Sequence, residues 1–175
     1  MRDWFAARRK RRHLRDLRRS CTARLGELDL DHVSSVVTLC EKLSRQRGRP
    51  IHLIPAELKS DHPCGMWIAL EGVDFIVYEA NTSKPHQEHI IAHELAHMIC
   101  CHRGGAALDE ASARLLFPNL DPRLVQDMLR RTGYSDEQEQ EAELLATLLL
   151  QQITAAQHAP TEAMSVVRRI KNSLS

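Results

Sequence analysis

The chain has no apolar stretch near the 18 or so residues that span a bilayer, and no apolar segment follows its basic N-terminus as a secretory signal requires. Both absences point to the cytoplasm. Its five cysteines are an odd number and include no C-x-x-C pair, which argues against a disulfide framework and for a reducing compartment. Cys21, Cys40, Cys100 and Cys101 lie in helical, mostly apolar contexts and read as small buried hydrophobes. Aromatic residues are scarce at 4%, yet 43% hydrophobic residues over 175 can fill one core. That length suits one domain, or one domain with an appendage. No internal repeat is present.

What the chain does have is His93-Glu94-Leu95-Ala96-His97, set inside the apolar run from Ile90 to Cys101. On a helix, residues four apart share a face, so both imidazoles can reach one ion. Glu94 falls about 100° from His93, near enough to hold a metal-bound water without ligating the metal. Zinc suits this arrangement. Two imidazoles and a carboxylate leave a fourth tetrahedral position open, where the ion lowers the pKa of water from about 16 toward 7. Glu94 then serves as general base and acid for peptide hydrolysis. His89 and His93 are also four apart, but Ile90 follows His89 and leaves that pair no base. A surface helix can carry such a pattern without a metal. Here Ile90, Ile91, Ala92, Leu95, Ala96, Met98 and Ile99 form the wall of a core helix, where unpaired polar groups cost several kcal/mol.

The third ligand lies elsewhere. A metzincin requires H-E-x-x-H-x-x-G-x-x-H, but Cys100 holds the glycine position, Arg103 holds the last histidine position, and His102 comes one residue early. A glutamate on a second helix is the alternative. In Glu139-Gln140-Glu141-Ala142-Glu143-Leu144-Leu145-Ala146, the stripe Glu139, Ala142, Glu143, Ala146 combines acids with small residues that permit close helix approach. Glu139 is the first choice, with Glu143 orienting a ligand histidine from behind. Glu141 points elsewhere on that helix, although Glu141 and Glu143 also remain candidates, and Asp109 and Glu110 come after them. Tyr134 is a candidate donor to the oxyanion of the tetrahedral intermediate. Cys64, in the turn His62-Pro63-Cys64-Gly65, could place a thiolate in the open position as a redox latch; the plainer reading is a turn between two extended segments.

These residues resemble the ImmA/IrrE metallo-endopeptidases, whose pattern joins an H-E-x-x-H helix to a later E-x-x-A-[ND]-x-F-A-x-x-L-L helix. His93 to His97 matches the first part. Glu139-x-x-Ala142-Glu143-x-Leu145-Ala146-x-x-Leu149-Leu150 matches the second, with Glu143 in place of Asn or Asp and Leu145 in place of Phe. The interval from His97 to Glu139 is long for the family and suggests an inserted helix around Asp121 to Arg131. The resemblance covers about Pro50 to Gln151. It implies an α+β fold, a mostly helical zincin-like domain with a small antiparallel sheet beside the H-E-x-x-H helix. It also implies one zinc ion and a protein substrate, a helix-turn-helix repressor, so that cleavage regulates transcription. The competing class is a metal-containing module that grips a repressor or other partner without cutting it.

Charge divides the chain. Residues 1–24 hold ten Lys or Arg and two acids, net +8, leaving 14 basic and 21 acidic residues, net −7, for the remainder. The expected organisation is a basic helical appendage over 1–30, a zinc-peptidase domain over 31–158 and a C-terminal helix over 159–175. The basic segment could bind nucleic acid, lie on an anionic surface, or dock on the acidic domain through its stripe Leu14, Leu17, Cys21, Leu25, Leu28. Docking is favoured.

The remaining elements follow from caps and periodicity. Asp31 to Arg47 reads as an amphipathic helix with Asp31 as N-cap, a stripe of Val33, Val36, Val37, Cys40 and Leu43, and a stop at Gly48. Ile51 to Ile54, Gly65 to Leu70 and Val73 to Tyr78 read as extended, the last two as a hairpin about Glu71-Gly72. Short helices are expected at Asp109 to Leu116 and Asp121 to Arg131, the latter with Gly133 as C-cap. A long helix starts at Asp136 behind a Ser135/Gln138 capping box, and another runs from Pro160 to Leu174. Taking the pair about Thr132-Gly133-Tyr134 as a helix-turn-helix fails on charge, since Glu137, Glu139, Glu141 and Glu143 would face phosphates.

Overall fold

The computed structural model describes the backbone of residues 2–58, 64–102 and 134–173, with side chains at 4, 8–58, 64–102 and 134–158. Within them the fold is α+β, with four helices and one three-stranded sheet. None of the described helices is long and apolar enough to cross a membrane. The short helices expected at Asp109 to Leu116 and Asp121 to Arg131, together with Asp109, Glu110 and Gly133, lie outside the described residues.

Strands β1 (Ile51–Ala56), β2 (Gly65–Leu70) and β3 (Val73–Glu79) lie in the order β1-β3-β2. β2 and β3 form the expected hairpin, turning at Gly72, whose φ of 77° is a left-handed conformation that glycine adopts without strain. β1 pairs with β3 in parallel, from Ile51 opposite Asp74 to Ala56 opposite Glu79. The sheet is therefore mixed, where an antiparallel one was expected. The cause is the identity of the central strand. β3 carries the buried Ile76 and Val77 and takes the middle, so β1 and β2 run antiparallel to each other on its two sides.

A buried carboxylate fastens the hairpin. Asp74 has no exposed surface and takes Arg49 Nε at 2.9 Å, Arg47 Nη2 at 3.2 Å and the indole N–H of Trp67 at 3.0 Å. The Arg49 guanidinium also donates to the carbonyls of Leu70 and Val73. Two arginines thus tie the sheet to the end of the preceding helix.

That helix, α2 (Val36–Arg47), starts five residues after the expected Asp31 cap. Ser35 is the cap: its hydroxyl accepts from Thr38 N–H at 3.1 Å, and Thr38 Oγ1 accepts from Ser35 N–H at 3.0 Å. This reciprocal pair satisfies two orphan donors, while Asp31 and the left-handed His32 belong to the approach. Of the expected stripe Val33, Val36, Cys40 and Leu43 are buried; Val37 is half exposed, contrary to expectation, and Leu39 is buried instead. Gly48, at φ 61°, ends the helix as expected.

Helix α3 (Lys84–Ile99) carries the H-E-x-x-H motif and packs on the sheet with one face and on α4 (Asp136–Ser173) with the other. Ser135 and Gln138 cap α4 reciprocally, as expected. Ala142 and Ala146 are fully buried, and their small side chains let α3 and α4 approach. The helix expected from Pro160 is a continuation of α4, which runs unbroken to Ser173.

Helix α1 (Arg2–Glu27) docks on this core through its second half. Cys21 and Leu25 are buried, and Leu17 and Leu28 are partly buried against the same cluster. Leu14 stays 45% exposed, so the docking stripe begins at Leu17, about one turn later than expected.

Candidate metal centre

Three donor atoms from α3 and α4 converge. Nε2 of His93 lies 3.0 Å from Nε2 of His97 and 3.2 Å from Oε2 of Glu139, and His97 Nε2 lies 3.8 Å from Oε1 of Glu139. Donors about 2.0–2.2 Å from one tetrahedral zinc stand at such separations from each other. His93, His97 and Glu139, the first-choice ligands of the sequence reading, thus form one group that could hold a metal ion. Glu141 and Glu143, the alternative ligands, fall outside this group.

Glu94 lies beside it on α3 and is 5% exposed. The backbone N–H of Trp67 in β2 donates to its carboxylate, while Oε2 finds no hydrogen-bond partner among the described residues. Burial first, and then the nearby charge of Glu139, push its pKa up to about 8, against the pull of the Trp67 N–H. Glu94 lines the same cleft as the three donors. The hydroxyl of Tyr134 is likewise buried without a partner among the described residues. Its ring stacks on His97 at 3.5 Å between centroids, and burial with the Glu94 and Glu139 charges holds the phenol above its ordinary range.

The histidines are supported from behind by two different devices. Glu143 Oε2 lies 3.4 Å from Nδ1 of His93 and 3.1 Å from Nε2 of His89, consistent with the expected orienting contact. His97 has a support that sequence reasoning missed. Its Nδ1 meets Nδ1 of His102 at 3.0 Å, and Nε2 of His102 meets Oε2 of Glu141 at 3.1 Å. Oε1 of Glu141 in turn faces Arg24 Nε of α1 at 3.5 Å. His102 reaches back because Cys101, at φ 54°, turns the chain left-handed at the end of α3, where His102 N–H bonds to the carbonyl of His97. The clue in the sequence was His102 itself, an extra histidine five residues beyond His97 and one short of the metzincin position.

Protonation follows from this chain. If His97 offers Nε2 to a metal, its Nδ1–H donates to His102, whose remaining proton on Nε2 points at Glu141. Burial, with His93 and His102 alongside, lowers the His97 pKa to about 3, so this imidazole stays neutral as a ligand must. Cys100, His102 and Glu141 form a second group of close donors among the described residues. In this group His102 Nε2 lies 3.1 Å from Glu141 Oε2, the same contact that links it to His97. Burial and the Glu141 charge push the Cys100 thiol up to about 12.

The centre opens into a cleft of about 330 Å³ bounded by Cys64, Gly65, Met66, His86 and Tyr134 as well as the donors. Gly65 begins β2, an edge strand, and permits close approach of the sheet to α3: a Cβ there would meet Ile90 Cγ2 at 2.3 Å and Glu94 Oε1 at 3.2 Å. Cys64 is exposed on the cleft wall, and its sulfur is not among the converging donors. No family model and no curated protein matches the chain.

Proposed function

We propose that the chain is a zinc-dependent endopeptidase of the ImmA/IrrE type that cleaves a regulatory protein, a helix-turn-helix repressor being the substrate that the family resemblance favours. The observation that carries this reading is the convergence of His93, His97 and Glu139 beside a buried Glu94 with one oxygen unengaged. A metal site kept for stability alone has no need of that carboxylate. His93, His97 and Glu139 would hold the ion. When bound, zinc supplies a Lewis acid that lowers the pKa of water toward about 7 and a positive charge that opposes protonation of Glu94.

Glu94 Oε2 is positioned to accept a proton from the attacking water and to pass it to the leaving amine nitrogen. The Tyr134 hydroxyl, without a partner among the described residues, would donate to the carbonyl oxygen as it gains charge. β2, an edge strand among the described residues, borders the cleft and suits an extended peptide by strand addition. Trp67 contributes its backbone N–H to Glu94 and holds the carboxylate toward the cleft.

The test is cleavage of a proteome-derived peptide library by zinc-loaded protein, read as new termini by mass spectrometry. Wild type should generate them and Glu94→Gln should not. A captured repressor that stays full length beside zinc-loaded wild type would instead support the non-cleaving binding module.

A further inference from the structure

The docked half of α1 leaves its first half without a role in the core. From Arg8 to Ser20 every side chain except Leu17 is exposed. At 100° per residue, Arg8, Arg11, Arg12, Arg15, Arg18 and Arg19 fall within a sector of about 120°, and Trp4 projects into the same sector. The stripe is about 16 Å long at 1.5 Å per residue. Among the described residues none of these arginines makes an ion pair; the Arg8 guanidinium lies 5.4 Å from the centroid of the Trp4 ring. Asp16 is the only acid between residues 4 and 24, so the six cations of this face repel one another largely uncompensated, and the surface suits an anionic partner.

We propose that this arginine stripe binds the phosphodiester backbone of a nucleic-acid duplex. Three features select that ligand. Every stripe cation is arginine, whose planar fork meets phosphate oxygens in pairs, where lysine offers a point charge. A single straight helix presents them, and a helix fits the major groove, which is about 12 Å wide. A membrane-surface helix needs a continuous apolar face to insert, whereas along the stripe the described residues expose only two large apolar side chains, Trp4 and Leu14. Trp4, 61% exposed at the start of the stripe, adds a flat ring for contact with sugar or base. The proposal does not rest on the peptidase reading. It gives the chain an anchor on nucleic acid, the place where a DNA-binding regulatory protein is met.

Fluorescence anisotropy of the full chain against a random 20-base-pair DNA duplex, and separately an RNA duplex, between 50 and 200 mM NaCl tests this. Six neutralised phosphates predict a slope of about −5 in log K against log salt for DNA, roughly a 10³-fold loss across that range. Arg11→Gln with Arg15→Gln, both exposed and outside the core, should reduce the slope by about 2 while circular dichroism stays unchanged. The two duplexes identify which nucleic acid is preferred. An unchanged slope in the double variant overturns the assignment, as does binding to phosphatidylserine-containing vesicles with no binding to either duplex.

Discussion

Replacing His102 by alanine should loosen zinc without touching a ligand. His97 is fully buried, and its Nδ1 has His102 Nδ1 at 3.0 Å as its partner. Removing that acceptor strands a buried N–H, which costs about 1–3 kcal/mol. Loss of the group that orients a ligand histidine typically weakens metal affinity 10–100-fold, or about 1.4–2.7 kcal/mol at 1.36 per decade. The two routes agree near 2 kcal/mol. Glu141→Gln keeps an acceptor for His102 but removes the charge at the end of the chain, so it should cost less, about three- to tenfold. Competition with a chromophoric chelator at fixed pH measures both. The ranking should be wild type tightest, then Glu141→Gln, then His102→Ala, with Glu139→Ala losing the ion altogether. A His102→Ala protein with wild-type helicity and a Kd within threefold of wild type would refute the relay, leaving His102 as a buried histidine with no bearing on the metal.

Three further outcomes follow from the same geometry. Glu94→Gln should retain zinc and lose roughly 10²–10⁴ in kcat. In metal-free protein, Glu94 keeps its proton to about pH 8 against an ordinary 4.5, so its stabilisation is full below pH 4.5 and is lost as pH rises to 8. His97, neutral down to about pH 3 against an ordinary 6.5, has the opposite slope only between those values. From pH 6.5 to 8 metal-free wild type should therefore lose about 2 kcal/mol that Glu94→Gln does not lose, as chelator-treated denaturant titrations will show. Asp74→Ala should destabilise the fold by about 3 kcal/mol, because it strands a partly buried indole N–H and two arginines; thermal melts should fall by some 6–12 °C. Tyr134→Phe should lower kcat by about 10²-fold at unchanged zinc content, and unchanged turnover would end the oxyanion role.

The centre was legible because its signal is local. Two histidines four apart, and two glutamates four apart on a helix with alanines between, define faces before any tertiary contact is known. The same holds for the Ser135/Gln138 cap and the hairpin at Gly72. What escaped was non-local or rested on small hydroxyls. Ser35 caps α2 with Thr38 where a glutamate or glutamine is the usual signal, so Asp31 looked stronger. The partner of β1 depends on which strand occupies the middle of the sheet, and adjacency along the chain favours the wrong answer. In the sequence Glu141 reads only as an alternative ligand, yet it faces the place where the left-handed turn at Cys101 delivers His102. Arg24 joins this chain only because α1 folds back over α4, which no spacing within α1 could reveal.

The most direct test is metal content by plasma mass spectrometry on purified wild type beside His93→Ala and Glu139→Ala. The account predicts one zinc per wild-type chain and none in either variant. Correctly folded wild type that binds no zinc would contradict it and leave a protein that acts by binding alone.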